Sequence, residues 1–147
     1  MAYATTYPYT GETLKVFPGA TDQEVQAALD GAYDAYLAWR QTSFAERAKV
    51  MTAAATILRD NLDEYARVLT LEMGKLLAEA KAEVILSAEI FEYYAEHAEL
   101  LLETEALPVK NPEEGNAILV HEPQGIVLAI EPWNFPYYQI ARIIAPQ

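Results

Sequence analysis

Cysteine is absent from the 147 residues, which excludes disulfides, thiolate metal ligands and a thiol nucleophile within this stretch. Histidine is scarce: His97 and His121 stand far apart with no thiolate beside them, so no metal site is expected. Basic residues are few, with 10 Lys and Arg against 22 Asp and Glu and a net charge of −12. Phosphate backbones and anionic lipid surfaces repel such a chain, so neither nucleic acid nor a membrane is an expected partner. No run reaches the roughly 18 apolar residues of a membrane span. The first residues, Met1-Ala2-Tyr3-Ala4-Thr5-Thr6, lack a basic region followed by an apolar stretch. A cytoplasmic protein is the expectation. Gly-rich phosphate loops are missing too, since neither G-x-G-x-x-G nor a Walker sequence occurs.

What is present is a folding composition, 52% hydrophobic and 11% aromatic, with the length of one domain or of part of a larger one. No internal repeat is visible. Thr10-Gly11, followed by Leu14, Val16 and Phe17, suggests a hairpin of two short strands, with Pro8 confining the first to an edge. Thr21-Asp22-Gln23-Glu24 and Ser43-Phe44-Ala45-Glu46 have the spacing in which hydroxyl and carboxylate satisfy each other's backbone N–H at a helix start. Behind the first, Val25, Ala28, Leu29, Ala32, Tyr36 and Trp39 recur at helical spacing; behind the second, Val50, Met51, Ala54, Ile57 and Leu58 form a stripe expected to be buried. Asn61-Leu62-Asp63-Glu64 is placed to cap a third helix that closes at Met73-Gly74.

From Leu77 the apolar positions Ala80, Val84, Ala88, Phe91, Ala95, Ala98 and Leu102 advance by three or four, predicting a helix of about seven turns. Glu89, Glu92, Glu96, Glu99 and Glu103 share another face, read as a solvated acidic surface. Glu72 and Lys75 allow an acid and a base in one site, but a helix end with flanking charges explains them as well. After the turn formers Asn111-Pro112-Glu113-Glu114-Gly115 the pattern changes to strand: Ala117 to Val120, then Ile126 to Ile130, a run suited to a strand buried on both faces. Pro136 is placed to start a last helix through Tyr137, Tyr138, Ile140, Ile143 and Ile144.

Between that strand and that helix lies Glu131-Pro132-Trp133-Asn134-Phe135-Pro136, a single Asn among two prolines and two aromatics. In open α/β sheets ligands bind outside the carboxyl ends of strands. An Asn amide held there can donate to a developing oxyanion, although an Asn in a Pro-rich turn also serves simply as a turn residue. Arg142 follows eight residues later, two helical turns on and roughly on the same face, so both are placed to look into one pocket. An Arg fork suits a carboxylate ligand, and equally a surface acid.

The segment Gly125-Ile126-Val127-Leu128-Ala129-Ile130-Glu131-Pro132-Trp133-Asn134-Phe135-Pro136 resembles the signature strand and loop of the aldehyde dehydrogenase superfamily. The resemblance extends through Pro8-Tyr9-Thr10-Gly11-Glu12, Trp39-Arg40, Glu46-Arg47, Leu71-Glu72-Met73-Gly74-Lys75 and Glu79-Ala80, nearly the whole chain. Tyr3-Ala4-Thr5, Tyr93-Tyr94-Ala95 and the 131–139 stretch are most similar to bacterial succinate-semialdehyde dehydrogenases. The resemblance implies a cysteine that attacks the aldehyde, passing through a thiohemiacetal and a thioester, hydride transfer to NAD or NADP, and a glutamate that activates water. Asn134 matches the oxyanion-hole amide, Ile130, Pro132 and Trp133 the wall where the cofactor lies, and Arg142 the residue that binds a substrate carboxylate. Ile143 departs from the many relatives with Lys at that place.

The cysteine, the general-base glutamate, the adenosine-binding lysine and the Gly-rich cofactor helix of that superfamily have no counterpart among these residues. The chain therefore reads as the amino-terminal third of such an enzyme, inactive alone: an α/β, aldehyde-dehydrogenase-like fold of which this portion is mainly α-helical, with an N-terminal hairpin and two C-terminal strands. Residues 1–114 read as hairpin and helical layer of the cofactor-binding domain, 115–124 as a strand of the oligomerisation arm, and 125–147 as the first sheet strand, the active-site loop and the start of a helix. Unpaired strands at Ala117 to Val120 or Ile126 to Ile130 predict a homo-oligomer. The competing readings are a non-catalytic interaction module and an inactive relic.

Overall fold

The computed structural model describes residues 3–147. Strands β1 (Tyr3–Thr6) and β2 (Thr13–Phe17) pair antiparallel, with Tyr3 opposite Phe17 and Ala4 opposite Val16. The turn at Thr10-Gly11 is as expected: Gly11 has φ 75°, and its N–H donates to the Tyr7 carbonyl at 2.8 Å.

Helices α1 (Asp22–Trp39) and α2 (Phe44–Asp60) both begin with complete capping boxes. The Glu24 N–H donates to Thr21 Oγ1 at 3.2 Å while the Thr21 N–H donates to Glu24 Oε2 at 2.8 Å, and Ser43 and Glu46 repeat this at 3.3 and 2.8 Å. Donors that a helix start leaves free are thus satisfied. The backbone N–H bonds from Thr21 and Ser43 hold the two carboxyls below their ordinary pKa. Helix α3 (Leu62–Met73) closes at Gly74, which takes the left-handed conformation at φ 75°. Asn61 does not cap α3, contrary to expectation. At φ −107°, ψ 22° it lacks the extended backbone of an N-cap, and its side-chain amide donates back to the Ile57 carbonyl at 2.8 Å, finishing α2 instead.

The 25-residue helix α4 (Leu77–Leu101) is the axis of the structure, packing against α2, α3 and the final helix α5 (Pro136–Ile144). Its buried side runs through Ala80, Glu83, Val84, Ser87, Ala88 and Phe91. One core joins Ala55 of α2 to Ala88, Phe91, Ala141 and Ala145, and a second joins Ala66 and Leu69 of α3 to Ala80 and Val84. Six of the nine buried apolar residues are alanine, so the helix backbones approach closely but each contact buries little area.

Several faces expected to be covered are open. Of the α2 stripe, Met51, Ala54 and Leu58 pack against the core beside Ala55 as expected, while Val50 and Ile57 are exposed, and α1 has no buried residue. Periodicity identifies the apolar face of a helix, not whether the chain supplies its cover. Ile126 to Ile130 is likewise not a buried strand: among the described residues it makes no ladder, and Leu128 and Ile130 are both 86% exposed. A strand forms only beside a partner, and among the described residues no strand pairs with this segment. The strand at Ala117 is present as β4 (Ala117–Leu119), paired with an unforeseen β3 (Glu105–Leu107) in the register Glu105–Leu119, Ala106–Ile118, Leu107–Ala117. This hairpin spans residues 114 and 115. The acidic face is solvated as expected, and on it the Glu92 carboxylate takes a two-pronged bond from Arg59, 2.7 Å at each oxygen.

Candidate functional site

Pro136 opens α5 with its preset φ and without an N–H to satisfy. The preceding Phe135 offers no side-chain cap, which leaves the Tyr137 and Tyr138 amides without a local partner. Glu83, two turns into α4, supplies it from across the fold: its Oε1 accepts from the Tyr137 N–H at 3.0 Å and the Tyr138 N–H at 3.3 Å. The next amide, Gln139, donates to the Phe135 carbonyl at 2.9 Å, so every N–H of the first turn is paired. A carboxylate at this helix end also meets the positive end of the helix dipole.

The other oxygen of Glu83, Oε2, pairs with the Lys75 ammonium. Gly74 turns the chain at the end of α3, and Lys75 enters the interior beside it; the side chains of Lys75 and Glu83 are 6% and 0% exposed. Lys75 Nζ donates further to the Asn134 backbone carbonyl at 3.1 Å and sits 3.5 Å from the centre of the Phe135 ring. The Ser87 hydroxyl donates to the Glu83 carbonyl at 2.8 Å. One buried pair thus holds the loop at the Asn134 carbonyl and again at the first amides of α5. Lys75 is therefore more than a charge flanking a helix end; Glu72 is the exposed one.

Asn134 itself is exposed, and among the described residues its side-chain amide makes no hydrogen bond, which leaves its N–H groups free to donate. Trp133, 76% exposed, lines a cleft of about 620 Å³ with Pro136, Tyr137, Val68, Glu72 and residues of β1. Ile130 and Pro132 stand in the open segment before it. Arg142 is exposed one to two turns into α5, over the Tyr138 ring and 3.4 Å from Gln139 Oε1. Its partners, Gln139 and Tyr138, lie on its own helix, and among the described residues it makes no hydrogen bond to Asn134. Tyr137 stacks on Tyr65 with ring centres 5.6 Å apart, and burial raises its phenol above the ordinary pKa, helped by the field of Tyr65, Glu72 and Glu83. His97 stacks on Tyr93, and no described cluster of three His, Asp or Glu has a metal-binding arrangement.

Sequence spacing does not reveal Lys75 and Glu83 as a pair. The available signal is Glu83 itself, a carboxylate three residues after Ala80 and four before Ser87, inside the apolar stripe of α4, where a charge stays only if something neutralises it. The partner loop lies 59 residues from Lys75, beyond what local spacing reveals.

The profile of the aldehyde dehydrogenase family matches residues 1–147. The succinate-semialdehyde dehydrogenase [NADP(+)] of Deinococcus radiodurans is 46% identical over 144 residues, 98% of this chain and 30% of that protein. The succinate-semialdehyde dehydrogenase [NADP(+)] 1 of Mycobacterium bovis is 47% identical over 146 residues, 99% of this chain and 32% of that protein. The crystal structure of succinic semialdehyde dehydrogenase from Streptococcus pyogenes, in complex with NADP+, superposes with a TM-score of 0.92 at 43% identity, over 99% of this chain and 31% of that one. The chain spans about 30% of the length of the relatives it matches.

Proposed function

The chain belongs to the aldehyde dehydrogenase family, and from that premise we propose that it forms the amino-terminal part of an NAD(P)-dependent enzyme oxidising succinate semialdehyde or a similar aldehyde. The observation that carries this reading is Asn134: an unengaged amide on a loop whose backbone is held from beneath. Its N–H groups are available to an aldehyde oxygen that gains negative charge as a nucleophile adds. The nucleophile, a cysteine, belongs to the remaining two thirds.

Ile130, Pro132 and Trp133 suit a dinucleotide as an apolar wall, exposed at the loop's outer side. They offer no charge for its phosphates, and Lys75 is occupied by Glu83 and Asn134. NAD or NADP supplies the hydride acceptor when bound; this portion contributes shape and water exclusion. NADP is the first to test, because the two relatives carry it in their names. Arg142, exposed and only loosely engaged, is free to meet a substrate carboxylate.

The same reading assigns residues 1–114 to the hairpin and helical layer, 115–124 to an oligomerisation arm and 125–147 to the first sheet strand, site loop and following helix. The open edges of the β3–β4 hairpin, with Ile118 and Val120 about half exposed, offer a second subunit a place to pair.

In the complete polypeptide, Asn134→Ala lowers kcat about 100- to 1,000-fold with little change in KM. An Asn134→Ala enzyme with the parent kcat refutes the assignment.

A further inference from the structure

We propose that Lys75 and Glu83 act together as a positioning pair that sets the orientation of the Asn134 amide, an inference that rests on the function proposed above. Three features carry it. Both side chains are almost fully buried, at 6% and 0% exposure, and they neutralise each other. Every hydrogen bond the two side chains make beyond their own pairing goes to the 134–138 stretch: Lys75 Nζ to the Asn134 carbonyl, and Glu83 Oε1 to the Tyr137 and Tyr138 amides. The bonds hold the carbonyl of the Asn134–Phe135 peptide and the first two amides of α5, so the Phe135-Pro136 step between Asn134 and the helix is fastened at both ends.

Stability alone does not account for this arrangement. Two charges taken out of water lose their hydration, and a well-packed apolar pair of similar volume holds a core at least as firmly. What apolar side chains cannot supply is direction. A donor aimed at one carbonyl and an acceptor aimed at two amides select a single loop geometry. An amide misplaced by about 1 Å loses much of its effect on a developing charge. Neither residue touches a reacting atom in this picture; both act through Asn134.

The test separates positioning from support. In the complete polypeptide, Lys75→Met leaves Glu83 buried without its counter-charge and lowers both Tm and kcat. The double variant Lys75→Met with Glu83→Leu removes both charges and recovers most but not all of the lost Tm, since the Tyr137 and Tyr138 amides still lack an acceptor. Its kcat stays about 10- to 100-fold low at similar KM, because the loop is no longer aimed. Glu83→Gln keeps an acceptor for the Tyr137 and Tyr138 amides and retains more kcat than the double variant.

Recovery of kcat together with Tm in the double variant overturns the proposal and leaves the pair a structural one. Amide hydrogen exchange at Tyr137 and Tyr138 supplies a second readout that needs no turnover: about tenfold faster in the double variant, with Val84 and Phe91 unchanged. If the parent polypeptide has no dehydrogenase activity, the proposed function fails, and exchange alone then decides. Unchanged protection at Tyr137 and Tyr138 refutes the pair's hold on the loop; selective loss supports it.

Discussion

Gly74 is the hinge on which the hairpin, α3 and Lys75 meet, and its replacement by alanine gives a result whose size follows from geometry. Its φ is 75°, where an L side chain costs about 1 to 2 kcal/mol. A Cβ built there falls 3.1 Å from Pro8 Cγ. The proline ring cannot rotate away as a flexible side chain does, so the hairpin must shift against α3. That adds about 1 kcal/mol, at the low end of overpacking costs. Gly11 is the internal control, with the same φ of 75° and nothing within 4 Å of its would-be Cβ. Gly74→Ala is therefore expected to destabilise by about 2 to 3 kcal/mol and Gly11→Ala by about 1 to 2. Urea unfolding followed by far-ultraviolet circular dichroism measures both, with exchange at the Gly74 amide, bonded to the Thr70 carbonyl at 3.0 Å, reporting the cap itself. Equal losses for the two variants would refute the Pro8 contact, and a neutral Gly74→Ala would refute the left-handed cap as well.

Two further outcomes test charge. Glu24, Glu46 and Glu92 all have folded pKa values below their ordinary ones, the first two through backbone N–H bonds and Glu92 through Arg59. Their stabilisation is present above the ordinary carboxylate value of about 4.3 and disappears as pH falls through the lowered folded values. A Glu24→Gln, Glu46→Gln, Glu92→Gln variant should show a flatter acid limb in thermal melts from about pH 5 to 2; parallel limbs in parent and variant contradict this. Arg142→Leu should raise KM for succinate semialdehyde about tenfold or more while sparing an uncharged aldehyde of similar length. Equal changes for both substrates would remove Arg142 from carboxylate binding.

Features legible in the sequence were those decided within one turn of helix. Thr21 with Glu24, Ser43 with Glu46, Gly74 and Pro136 each set an element boundary through their own chemistry, and all four lie where expected. Asn61 failed because a one-residue junction presents two helix ends to one carboxamide, and the carbonyl at Ile57 won it. Ile126 to Ile130 failed because a strand is a relation between segments. Of the candidate site, the loop around Asn134 stands out in the sequence by its prolines and its support does not, because Lys75 and Glu83 meet that loop across more than 50 residues.

The exposed surface explains why the support matters. The chain exposes 11083 Å², whereas a compact protein of its 16.4 kDa mass exposes about 7,500 Å². The excess, about 3,500 Å² by the same relation, is spread over the open face of α1, the 126–130 segment and the β3–β4 hairpin. Such surface calls for further protein against it, consistent with a chain that matches about 30% of each relative.

The core that remains is thin and largely alanine, and packing of that kind constrains distance between helices more than the direction of a loop. Direction at 134–138 comes instead from α4, the most enclosed element, through Glu83 and the lysine paired with it. The loop therefore draws its geometry from the part of the fold least dependent on what covers the rest. That places the Asn134 amide ahead of the partners it would work with, which is the condition for a donor that stabilises charge without reorganising at the moment of reaction.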